Sequence, residues 1–118
     1  MKLQVKYVKD HGDKTNERII LKALDDIDVG NYLIADNTYY GNGEVSSKVR
    51  HTFWLPDKQV SKGDLIVVYT KNGKESTKQN ESGNRTHFFY WGLGRSIWNQ
   101  EEDAAVIFNI SDWSSKQV

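Results

Sequence analysis

The sequence predicts one all-β domain arranged as a sandwich of about seven to nine short strands. Three observations point there. Short runs of β-branched and aromatic residues recur between Gly, Asn and Asp turn signals. Only Ser96 to Asp103 has any helical argument, and it amounts to about one or two turns. At 118 residues the chain has the size of a single domain, and it shows no internal repeat and no linker, so 1–118 reads as one unit.

The elements follow in order. Leu3, Val5 and Tyr7 alternate with Lys2, Gln4 and Lys6, the period-two pattern of a half-buried strand. His11 to Asn16 reads as a turn. Glu17 to Leu24 is dense in apolar residues but short, which favours a largely buried strand over a helix. Asp25-Asp26-Ile27-Asp28 closes it. Tyr32 to Asp36 reads as the next strand, with Tyr32 and Ile34 on one face, and Asn37 to Gly43 as a loop. Val49 to Leu55 follows and is stopped by Pro56, the only proline, whose missing amide donor suits a strand end. Leu65 to Thr70, bounded by Gly63-Asp64 and Asn72-Gly73, is apolar on both faces and so expected at the centre of a sheet. Lys74 to Arg85 contains no apolar residue and reads as a long exposed loop. Thr86 to Trp91 is an aromatic strand, and Ala104 to Ile110 the last one.

Composition narrows the chemistry. Lys+Arg and Asp+Glu are both 16, so the chain as a whole has no electrostatic pull toward nucleic acid or anionic lipid. With no cysteine, disulfides, thiolate metal sites and thiol nucleophiles are absent, which fits a reducing compartment. The N-terminus alternates where a secretory signal needs an unbroken apolar run, and no stretch reaches membrane-spanning length. The expected location is the cytoplasm, unless a leader has been trimmed.

Three blocks, in this order, resemble the lamin tail domain, an immunoglobulin-like β-sandwich. The first is Asn16 to Lys22 followed by Asp25 to Asp36, including Gly30-Asn31-Tyr32-Leu33-Ile34-Ala35-Asp36. The second is Thr52-Phe53-Trp54-Leu55-Pro56 followed by Val60 to Val68. The third is Trp91-Gly92-Leu93-Gly94 through Trp98-Asn99, then Glu102 to Phe108. Together they span about residues 15–112. Ala23-Leu24 stands where the family usually has Asn, and Tyr32 where Trp is common. The resemblance implies an interaction module for protein, nucleic acid or surface partners and implies no activity.

The residues agree with that. His11, His51 and His87 lack metal-ligand spacing, and Asp25, Asp26 and Asp28 lack the glycine and terminal Glu of a calcium loop; they read as surface or strand residues and a solvated turn. No nucleophile elbow, P-loop or dinucleotide fingerprint occurs, so neither an enzyme nor a cofactor is expected. Phe88-Phe89-Tyr90-Trp91 places rings on both faces of one strand, and Phe88, Tyr90 and Trp98 are expected in the core. The candidate partner-binding residues are Tyr39, Tyr40, Trp54, Trp91 and Trp113, with Lys74, Lys78 and Arg85 from the polar loop. The expected function is a non-catalytic binding or scaffold module for a protein partner or a second copy of itself. One alternative is nucleic-acid binding through exposed Tyr, Trp and Lys. The other is a small metal-dependent hydrolase using His51, His87 and the Asp25 to Asp28 turn.

Overall fold

A computed structural model describes residues 1–98 and 102–118 and shows an all-β chain. In order, the strands are β1 (Leu3–Lys9), β2 (Arg18–Ala23), β3 (Ile27–Asp28), β4 (Tyr32–Gly41), β5 (Glu44–Val45), β6 (Thr52–Trp54), β7 (Gln59–Val60), β8 (Leu65–Tyr69), β9 (Ser76–Gln79), β10 (Arg85–Tyr90) and β11 (Asp103–Asn109). A 3-10 turn, Val29–Asn31, joins β3 to β4; the Asp28 side chain caps it by accepting from the Gly30 amide at 2.8 Å.

One sheet has the order β1-β2-β8-β10-β9. Its ladder sets Val68 beside Ile19 and Phe89, and Ile66 beside Leu21 and His87, so these side chains share one face. That face is the core side, where Leu3, Ile19, Leu21, Ile66, Val68 and Phe89 are buried. As the apolar run of β8 predicts, it is the central strand. The second sheet runs β11-β4-β5, with β6 also on β4, and contributes Tyr32 and Ile34 to the same core, backed by Phe53, Ala105 and Ile107. Two sheets sharing one apolar interior make the architecture sandwich-like. The pairing of β8 with β10 is parallel, whereas every other ladder is antiparallel.

Several expectations are corrected. The first strand does not keep strict alternation: its register with β2 shifts between Val5 and Tyr7. The bulge leaves Val8 packed on the core with Val5 and turns Tyr7 out, 51% exposed. The stretch from Lys74 to Arg85 is not one long loop. It holds β9, an edge strand whose four residues are all exposed, so no hydrophobic period could reveal it. In β10 the buried aromatic is Phe89, while Phe88 and Tyr90 are half-buried, the reverse of the expected phase. The reason is His87, which is buried against Asp64 and shares the core face with Phe89. Trp98 is buried as expected. No helix forms over Ser96 to Trp98, and residues 99–101 of that helical expectation lie outside the described residues.

Candidate interaction surface

Alternation along the second sheet decides which side chains point away from the core. They are Leu33, Ala35 and Asn37 on β4, of which Ala35 and Asn37 are themselves covered, Ala104, Val106 and Phe108 on β11, and Thr52 and Trp54 on β6. Not one of them is charged, in a chain with 27% charged residues. Phe108, Leu33 and Trp54 lie in one row across the three strands. Phe108 is 40% exposed and Trp54 44%. Trp113, from the segment after β11, meets Trp54 edge-on with ring centroids 5.2 Å apart and keeps 63% of its own surface. The Trp54 indole N–H donates to the Gly30 carbonyl at 2.8 Å, which fixes the orientation of that ring.

Beside β11 is an apolar groove of about 460 Å³, lined by Leu3 and Val5 of β1, Ala105, Val106 and Ile107 of β11, and Met1, Leu24 and Val45. It joins the edge of one sheet to the edge of the other.

The outer face of the five-stranded sheet is built differently. Its outward positions include Lys9, Arg18, Lys22 and Lys78, and every charged residue among them is basic. Tyr69 and Tyr90 stack there, centroids 5.4 Å apart and planes within 9°. Arg18 and Lys71 lie over the Tyr69 ring at 5.5 and 4.8 Å. Gly73 packs on the Tyr90 ring so closely that a Cβ would come within 2.4 Å of it.

The sequence candidates therefore separate. Trp54 and Trp113 come together on the uncharged face. Tyr39 and Tyr40, 45% and 69% exposed, sit at the end of the same sheet on the β4–β5 hairpin, where the Tyr39 hydroxyl accepts from the Gly43 amide at 3.2 Å. Trp91 is half-buried and packs on the core, tilted against Phe53 at 5.6 Å and edge-on to Trp98 at 6.1 Å. Lys74, Lys78 and Arg85 are exposed on or beside the β9–β10 hairpin of the other sheet.

The titratable residues raised by the sequence go to different partners. The His51 ring lies 3.2 Å from Asp36, which also accepts from Arg50 at 2.8 Å; Arg50 spans to Asp103 as well. His87 Nε2 is 2.8 Å from Asp64, and its Nδ1 is 3.4 Å from the Thr77 hydroxyl. Burial pushes the Asp64 carboxyl up, but His87 and the Ser61 and Arg85 amides outweigh it and hold the group below its ordinary value. Asp26 accepts from the Lys62 amide and Asp28 from the Gly30 and Lys58 amides, so these turn carboxylates bind their own backbone. Among the described residues no group of three or more His, Asp or Glu side chains is placed to hold a metal ion.

Sequence reasoning missed two features. Phe108 and Leu33 carry the uncharged face, yet β11 is apolar in both phases and hides which side is outward. Glu17 is fully buried at the start of β2. Its carboxylate accepts from the Thr70 hydroxyl at 2.6 Å, the Ser96 hydroxyl at 2.5 Å, the Ile97 amide at 2.9 Å and the Gly12 amide at 3.0 Å. Burial alone would raise its pKa; these donors together lower it. No family model matches the chain, and no curated protein matches it. Among the described residues no helix is long and apolar enough to cross a membrane.

Proposed function

We propose that this chain is a non-catalytic protein-interaction module whose docking surface is the outer face of the β11-β4-β6 sheet. One observation carries the reading: that face holds no charge and leaves the contacting pair Trp54 and Trp113 exposed, with Phe108 exposed across Leu33 from Trp54. An uncharged patch with exposed tryptophans, one of them held by its own hydrogen bond, has the anatomy of an interface centre. The same reading takes the fold as immunoglobulin-like and akin to the lamin tail domain. The strand order of the three sequence blocks supports this, and the parallel β8·β10 pair is a departure from two purely antiparallel sheets.

The test is affinity capture with the purified chain, comparing wild type with a Trp54→Ala/Trp113→Ala double variant whose fold is checked by circular dichroism. A protein that wild type retains at about 1 M salt, where the screening length is about 3 Å, and that the double variant loses is the expected result. Capture that survives the double substitution but disappears in salt or after nuclease treatment would move the function to the cationic face.

That second reading, nucleic-acid binding, has the row of outward Lys and Arg residues in its favour. Against it, the Tyr69 and Tyr90 rings are engaged with each other, with Arg18 and Lys71 and with Gly73, so stacking on that face would fall to Tyr7, 51% exposed, where a strand-binding surface needs successive rings.

A further inference from the structure

Exposed strand edges invite pairing, and proteins guard them with charge, proline, bulges or brevity. In the five-stranded sheet both edges are guarded: β9 has no apolar residue and carries Lys78, and β1 has a bulge together with Lys6 and Lys9. The edge of β11 is different. From Ala104 to Phe108 it is uncharged and apolar, and it runs for seven residues in all. The Tyr39 amide donates to the Glu102 carbonyl and the Ile110 amide to the Asn31 carbonyl. Stepping two residues at a time from either bond, Ala104, Val106 and Phe108 turn their backbone groups to β4, so Ala105 and Ile107 turn theirs to the opposite side. Among the described residues no strand pairs with that side.

We propose that this edge pairs antiparallel with the same edge of a second copy, on a two-fold axis through Val106. The strand is complementary to its own reverse about that residue. Ala104 falls opposite Phe108 of the second copy and Ala105 opposite Ile107, so each large side chain meets a small one on both faces of the joined sheet. The outward amides of Ala105 and Ile107 then donate to the carbonyls of Ile107 and Ala105 of the second copy, whose own amides donate back in return. Val106 meets its own copy at a non-hydrogen-bonded position, where side chains approach most closely. The added strand also lies along the apolar groove, over Met1, Leu24 and Val45, which are 67%, 42% and 37% exposed in the single chain. The contact is isologous and closes at two copies.

The inference rests on the reading of the chain as a protein-interaction module, and the experiment separates the two. Sedimentation velocity of the full chain, from low micromolar to near-millimolar concentration, is expected to show a dimer growing with concentration. Val106→Lys and Val106→Glu each place like charges on the axis and are expected to stay monomeric alone. Mixed in equal amounts they are expected to recover the dimer, because only a position that meets itself across the axis gives that pattern. Ala105→Pro removes an outward donor without breaking a bond to β4 and is expected to be a folded monomer. Wild type that stays monomeric throughout, a Val106→Lys chain that still dimerises, or a mixture that fails to recover overturns the pairing. The Trp54→Ala/Trp113→Ala chain, outside the strand-pairing contact, should dimerise like wild type. If it does while losing no captured partner, the docking reading fails and the pairing stands.

Discussion

On the outer face of the five-stranded sheet Ile20 and Val67 keep only 8% and 6% of their surface, whereas on the β11-β4-β6 sheet Phe108 and Trp54 keep 40% and 44%. Both pairs point away from the core, so position in the pleat does not explain the difference. Their neighbours do. Ile20 has Arg18 and Lys22 two residues away on its own strand and Tyr7 and Val67 across from it, and long stems of this kind cover apolar surface while holding their charges in water. Around Phe108 the outward neighbours are Leu33, Val106 and Ala35, too short to cover it. The larger sheet covers its own outer face; the smaller one leaves aromatic surface exposed.

If that division holds, loss of stability concentrates where the larger sheet is closed. The greatest effect is expected at Glu17, which ties the start of β2 to Thr70, just past β8, and to the segment Ser96–Ile97. Glu17→Ala strands several buried donors at once and should cost about 3 kcal/mol or more, read from denaturant midpoints. A loss under about 1 kcal/mol would show that the tie is incidental.

The same carboxylate sets a pH dependence. Its folded-state pKa is lowered from 4.5, and that of Asp64 from 3.8. A carboxyl with a depressed folded value contributes stability that is fully present above its unfolded value and is lost as pH falls through the folded one. Stability should therefore be flat at neutral pH and fall below about pH 4.5. Glu17→Gln should be less stable at pH 7 and should lose less on acidification than wild type. An unchanged acid slope in that variant would assign the pH dependence elsewhere.

A middle-sized effect is expected from the cladding itself. Tyr69 stacks with Tyr90 and has Arg18 and Lys71 over its ring. Tyr69→Ala removes the stack, the cation contacts and cover over the sheet, and should cost about 2 kcal/mol, most of it kept by Tyr69→Phe. If Tyr69→Ala is neutral, the larger sheet's outer face is not self-sufficient, and the contrast between the faces weakens.

Much of this was legible where pattern and burial agree. The apolar run Leu65 to Tyr69 placed β8 at the centre of a sheet, and the shared face of Tyr32 and Ile34 was visible in their spacing. The phase of β10 was not, because a histidine took a core position by bonding to Asp64, twenty-three residues away. Nor was β9, since an edge strand exposed on both faces has no period to read. Of the candidate surface, Trp54 and Trp113 could be named one by one, but their meeting depends on the path of the chain after β11. Glu17 looked like the polar start of an apolar strand, because its donors come from residues as distant as Ser96 and Ile97.

The smallest effect on stability, and the sharpest on the contrast, is expected at Trp113. Its ring rests edge-on against Trp54 and is otherwise open to water, and exposed aromatic pairs of this kind contribute about 0.5–1 kcal/mol. Trp113→Ala should therefore shift the unfolding midpoint little while changing indole fluorescence, since a ring packed on Trp54 is removed. If the smaller sheet is a docking face, the same substitution should weaken partner capture far more than it weakens the fold. Hot-spot tryptophans behave that way because their area is spent on the partner. A loss of stability comparable to that of Tyr69→Ala would mean that Trp113 is cladding too, serving its sheet as Tyr69 serves the other.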